Sequence, residues 1–308
     1  MAGGQTKIAI VGAGTIGLSF AALHLTKDPN CKVTIFDTRP DLQQYVDQHL
    51  PGYLIDVDHE ACLKRLSVVS KLEEAVTDVA IVQEQGPEKL AFKVATWPQI
   101  ELHAPADALL WSSTSGIPAS QQNRDMKDKS RLMVVHPFNP PHIMPILEVV
   151  PSPETSQAAV ERTLAYWRAL GRSPVVVKKE CTGFVANRLA FALLREACSL
   201  VAQGVVSVED LDELVQTSMG PRWAVAGPFK SYHAGGGEGG LTSFLEKIGG
   251  TTQRCWEASD EDIRKGDINV GKKWQAEVCR QTDEAYRVID TAERDTKTRK
   301  VLEAVGRS

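Results

Sequence analysis

The sequence lacks the marks of a secreted, membrane-spanning or nucleic-acid-binding protein. Its six cysteines, Cys31, Cys62, Cys181, Cys198, Cys255 and Cys279, are scattered, with no CxxC pair and no histidine cluster beside them. That argues against a disulfide framework and against a metal site, and favours reduced thiols. No apolar run approaches the roughly 18 residues that a membrane span needs. An excess of basic charge is missing too: 35 Lys and Arg face 39 Asp and Glu, for a formal net charge of −4. Such a chain has no global attraction for nucleic acid or for an anionic membrane. The opening MAGGQTK has no apolar h-region, does not look like a signal peptide, and leads to the expectation of a cytoplasmic protein. No internal repeat is visible. The glycine-rich HAGGGEGGL, residues 233–241, is not followed by Gly-Lys-Ser/Thr, so it reads as a mobile connection rather than a phosphate loop.

What is present is ordinary in bulk and ordered in pattern. With 308 residues, 43% hydrophobic and 24% charged, the chain can build one large core or two medium ones. Short β-branched runs recur at 7–11 (KIAIV), 32–37, 66–69, 79–82, 108–113, 131–136, 146–150 and 173–179, with helical stretches between most of them. Strands alternating with helices imply a mostly parallel sheet covered on both faces. After about residue 180 the strands stop. TGFVANRLAFALLREACSLVAQG reads as one long helix, with Thr182 as its cap and Gly204 as its end. The expected fold is therefore α/β: a Rossmann-type domain over 1–180, then an all-α domain over 181–308.

GAGTIG, residues 12–17, follows the first strand and opens a helix. Gly12 permits the tight turn, Gly14 lets the backbone approach a pyrophosphate, and Gly17 lets the helix pack close. Thr15 and Ile16 lie between them, on the helix N-terminus where free N–H groups meet the phosphates. Asp37 ends the second strand, where an acid accepts hydrogen bonds from the adenosine ribose and repels a 2′-phosphate. This points to NAD rather than NADP, although Arg39 lies two residues on.

Oxidising an alcohol also requires a base near neutral pH. His136 stands at the end of an apolar strand, in VVHPFNPPHI, where ligands of open α/β sheets bind. Glu148 sits among aliphatic residues in ILEVV, where an unpaired carboxylate is costly. A carboxylate on one imidazole nitrogen would fix the tautomer and stabilise the imidazolium. The bland alternative puts Glu148 on the solvent side of an edge strand. His142 and His233 are weaker candidates for the base.

HPFNPP, LEVVPSPET, GFVANRL and VVSVEDLDEL, taken together, resemble the 3-hydroxyacyl-CoA dehydrogenase superfamily. The likeness is closer to its lambda-crystallin branch, the L-gulonate 3-dehydrogenases, and runs from residue 7 to about 230. It implies catalytic roles for His136 and Glu148, with Ser115 and Asn187 holding the reacting oxygen in a cleft closed between the domains. It implies NAD contacts at Gly12, Gly14, Gly17, Asp37, Glu88, Lys93 and Ser115. Arg222, in GPRWAVAGP, would bind a substrate carboxylate. A homodimer through the helical domain follows from the same likeness.

Between Asp37 and Leu66 lie 28 residues with only Lys64, Arg39 and Arg65 as basic groups, so a CoA phosphate site is not expected. L-Gulonate is then the leading substrate, oxidised at carbon 3. An acyl-CoA or carnitine is the alternative, with Trp223 available for a quaternary ammonium. A non-catalytic, crystallin-like NAD-binding protein is the alternative of another class.

Overall fold

The computed structural model describes residues 5–307; the opening MAGG and the last serine lie outside the described residues. The chain divides into two compact units, one ending at Arg188 and the other starting at Leu189.

The first unit is built on β1 (Lys7–Val11), β2 (Lys32–Phe36), β3 (Leu66–Val69), β4 (Ile81–Glu84), β5 (Leu109–Ser112), β6 (Leu132–Pro137), β7 (Ile146–Pro151) and β8 (Ser173–Val176). They form one sheet in the order β3-β2-β1-β4-β5-β6-β7-β8. Helices Thr15–Lys27 and Gln157–Ala169 cover one face, where Phe20, Leu23, Trp111 and Trp167 are fully or almost fully buried. Helix Leu90–His103 covers the other, placing Trp97 and Ile100 over Leu110 and Leu132. With both faces covered, the central strands read as continuous apolar runs rather than alternations.

Two features of the sheet position the site. The strand order reverses between β1 and β4, which opens the crevice at their carboxyl ends where ligands of such sheets lie. β7 runs antiparallel to β6 while the other pairs are parallel. The connection 138–145 is too short for the crossover that parallel pairing would need. The chain therefore folds straight back, and His136 falls directly opposite Glu148.

The second unit is helical. After helix Ala186–Ala202, which begins in the first unit, come Val208–Leu214, Gly220–Val225, Pro228–Gly235, Gly240–Lys265, Lys273–Tyr286 and Thr291–Ala304. The glycine-rich stretch expected to be a mobile connection is a tight joint instead. A Cβ on Gly236 would come within 1.7 Å of the Gly240 carbonyl, so only glycine lets the two helix ends meet so closely. No helix among the described residues is long and apolar enough to cross a membrane.

Candidate active site

The glycine turn has the shape of a cradle. Gly12 has φ +109°, a region open to glycine, and its N–H donates to the Phe36 carbonyl at 2.8 Å. A Cβ on Gly17 would lie 1.9 Å from the Gly12 carbonyl oxygen, so helix Thr15–Lys27 can start this close to the strand only with glycine there. Around Gly14 nothing lies within 4 Å of an added Cβ, which leaves the backbone open to a ligand at the helix N-terminus. Asp37 follows β2; one carboxylate oxygen accepts from Ala13 N–H at 2.7 Å and the other from Arg39 N–H at 3.1 Å. Beside it a cavity of about 410 Å³ is lined by Asp37, Arg39, Leu42, Val68 and Val69. The Arg39 fork is turned onto Asp41 at 2.8 Å and its guanidinium lies 3.4 Å from the Tyr45 ring centre. These residues fit a dinucleotide carrying a free 2′-hydroxyl.

At the far side of the reversal, His136 Nδ1 lies 2.8 Å from Glu148 Oε2, and both residues are buried, at 5% and 4% exposure. Glu148 Oε1 accepts the N–H groups of Val185 and Ala186 at 2.8 and 3.0 Å. Burial opposes the Glu148 charge, but the His136 hydrogen bond and these two amides outweigh it and hold the carboxyl below its usual range. An ionised carboxylate only accepts, so Nδ1 carries a proton, and the neutral form of the ring presents its lone pair at Nε2. Phe184, fully buried, sets its ring 5.4 Å from the imidazole.

The amides reach Glu148 because the chain before the long helix is not helical. Gly183 and Phe184 have φ of +74° and +50°, and the helix begins at Ala186. The cap at this end is Glu148, on a distant strand, rather than Thr182. That contact ties GFVANR to the first compact unit, which runs to Arg188. Asn187 then donates from Nδ2 to the Ser115 carbonyl at 3.1 Å, bringing the two expected oxygen-binding residues together.

Glu88 accepts from the Thr114 hydroxyl, from Ser115 N–H at 3.1 Å and from Gly116 N–H at 3.2 Å, so it braces the Ser115 turn. Lys93 is 1% exposed and gives its ammonium to both oxygens of Glu84, at 3.0 and 2.8 Å. A buried ammonium needs such a partner, and the Glu84 carboxylate supplies it. Sequence reading missed Glu84, Phe184 and the two amides; a glutamate in the buried run IVQE was a visible signal for the first. Arg222 lies exposed on helix Gly220–Val225 of the second unit, with no ion pair among the described residues. His142 Nδ1 is 2.8 Å from the Ser19 hydroxyl, and His233 Nδ1 accepts from Leu241 N–H at 3.2 Å. Among the described residues no group of three or more His, Cys, Asp or Glu could hold a metal ion.

The sequence matches the model of the 3-hydroxyacyl-CoA dehydrogenase NAD-binding domain over residues 7–181 and that of the C-terminal domain of the same enzymes over 183–271. The chain belongs to the 3-hydroxyacyl-CoA dehydrogenase family. It is an NAD-dependent oxidoreductase. An L-carnitine dehydrogenase of Streptomyces griseus is 36% identical, over 98% of this chain and 90% of that protein. A 3-hydroxyacyl-CoA dehydrogenase of Gibberella moniliformis is 37% identical, over 84% of this chain and 80% of that protein. Among solved structures, an NAD⁺-dependent dismutase, the 5-dehydrogenase of 5-formyl-3-hydroxy-2-methylpyridine 4-carboxylic acid, has a TM-score of 0.74 at 27% identity. It covers 97% of this chain and 98% of its own. Within the family, these likenesses favour the carnitine alternative over the lambda-crystallin branch and its gulonate.

Proposed function

We propose that this family member oxidises the 3-hydroxyl of L-carnitine to the corresponding β-keto acid. The likeness to an L-carnitine dehydrogenase over 98% of the chain carries this reading. Gly12, Gly14, Thr15, Ile16, Gly17 and Asp37 hold the dinucleotide, which supplies the hydride acceptor when bound. His136 Nε2 takes the hydroxyl proton. Glu148, across the 2.8 Å bond at Nδ1, fixes that tautomer and stabilises the imidazolium. Ser115 and Asn187 hold the oxygen as it passes from hydroxyl to carbonyl. Glu88 shapes the loop that carries Ser115, and Lys93 holds Glu84 under the same strand ends.

Arg222, exposed and without an ion pair among the described residues, binds the carboxylate, and Trp223 beside it suits the quaternary ammonium. The scarcity of basic residues between β2 and β3 speaks against a CoA ester. The helix Ala186–Ala202 exposes Leu189, Phe191 and Leu194, at 64%, 60% and 56%, which supports a homodimer through this helix. Free thiols at all six cysteines suit a reducing cytoplasm.

The test is NADH formation with L-carnitine, L-gulonate and 3-hydroxybutyryl-CoA in parallel. Turnover of carnitine well above the other two supports the proposal. Turnover of gulonate or of the CoA ester alone would replace the substrate and leave the dyad chemistry standing.

A further inference from the structure

Gln85 stands where the dinucleotide crevice opens. Its N–H donates to the Val11 carbonyl at 2.8 Å, extending the pairing of β4 with β1. A Cβ on Gly12 would lie 3.0 Å from the Gln85 carbonyl, so the residue abuts the glycine turn. Side chains alternate along a strand. Glu84 faces helix Leu90–His103, where it meets Lys93. Gln83 faces the first helix, where its amide oxygen lies 2.9 Å from His24 Nε2. Gln85 therefore continues the Gln83 side, one step nearer the helix N-terminus and the carboxyl edge of the sheet.

The two glutamines differ in how they are satisfied. The Gln83 amide also donates to the Ser113 hydroxyl at 3.4 Å. In Gln85 the amide nitrogen and oxygen are both enclosed, and neither has a hydrogen-bond partner among the described residues. A buried amide with no partner is costly, and native folds rarely keep one without a role. A methionine would fill the same space without that cost.

Position says which ligand would satisfy it. Asp37 and its cavity, at the end of β2, take the adenosine end of NAD. The glycine turn after β1 takes the pyrophosphate. β4 is the next strand across the reversal of strand order. The remaining half of the cofactor thus falls to the end of β4. We propose that the side-chain amide of Gln85 turns onto bound NAD and hydrogen-bonds its nicotinamide half, through the ribose hydroxyls or the carboxamide. This makes Gln85 a cofactor-binding residue distinct from the glycine fingerprint and from the ribose acid. It does not depend on which hydroxy acid is oxidised.

The test is equilibrium binding of NADH, ADP-ribose and ADP to the full chain and to Gln85→Met, beside thermal unfolding without ligand. Loss of one such bond should raise the NADH Kd about tenfold. The Kd for ADP, which lacks the nicotinamide half, should not move. The ligand-free Tm should stay level or rise, because an enclosed amide has been replaced by a thioether. ADP-ribose that weakens with NADH assigns the bond to the ribose; ADP-ribose that behaves like ADP assigns it to the carboxamide. Equal weakening of NADH and ADP would overturn the proposal. So would an unchanged NADH Kd, and a fall in Tm alongside it would show that the amide is bonded within the fold. Gln85→Ser repeats the comparison with a smaller side chain, should the methionine variant fail to fold.

Discussion

At the residue scale, the chemistry turns on which nitrogen of His136 keeps its proton. Glu148 settles that by accepting at Nδ1. His136→Gln should lower kcat by at least about 10³-fold while NADH binding and Tm stay near wild type. Glu148→Gln is a finer probe. Its amide oxygen can still accept from Val185 and Ala186, but its NH₂ would face Nδ1 and force the proton to Nε2. We expect kcat to fall by about 10²–10⁴-fold with a Tm change of a few degrees at most. A loss of Tm with kcat retained would mean that Glu148 serves only as a helix cap. His24 offers a stability test. It is fully buried between Tyr166 OH at 2.7 Å and Gln83 at 2.9 Å, and burial depresses its pKa to about 4. The unfolded chain takes up a proton near pH 6.5, while the native state resists until about pH 4. Stability should therefore be full above about pH 6.5 and fall on the order of 3 kcal/mol on acidification toward pH 4. Urea unfolding across that window should show the slope, and His24→Gln should flatten it.

At the element scale, the turn 182–186 joins the base, its carboxylate and the helix that carries Asn187. The two consecutive positive φ angles aim the Val185 and Ala186 amides at Glu148. A phenylalanine in that conformation costs roughly 1–2 kcal/mol, which the burial of its ring offsets. Phe184→Leu keeps an apolar residue there but loses the flat face against the imidazole. Its kcat should fall about tenfold or more while KM for NAD is unchanged, as steady-state kinetics would show. Equal, small changes in both would make Phe184 a filler of the core. This turn also marks a limit of sequence reading. TGFVANRL has a threonine, a glycine and helix-forming residues in an order that suits a capped helix. The left-handed pair arises because a carboxylate from β7 captures the amides, and that partner is 37 residues away along the chain.

For the whole molecule, two predictions concern the helical unit. Arg222→Met should raise KM for the hydroxy acid about tenfold or more and leave NADH binding untouched; an unchanged KM would end the carboxylate assignment. Phe191→Glu places a charge on the exposed face of Ala186–Ala202. Sedimentation of the wild type should give twice the 33.7 kDa chain, and of the variant a single chain. A wild-type protein that already sediments as one chain would dispose of the dimer.

The sequence alone determined the layered α/β unit and the glycine turn with its acid, because each rests on local pattern. For His136 and Glu148 the cost of burying a charge only suggested a pair, and the family resemblance was what favoured it over a solvent-facing Glu148. The placement of a strand order reversal, the antiparallel return of β7 and the close joint at Gly236 needed the tertiary structure. So did the burial of Lys93 on Glu84, the bracing of the Ser115 turn by Glu88 and the orphan amide of Gln85. In each case the deciding partner is distant in sequence or on another element. The free energy of a buried polar group depends on whether that partner arrives, and only the folded chain brings it there.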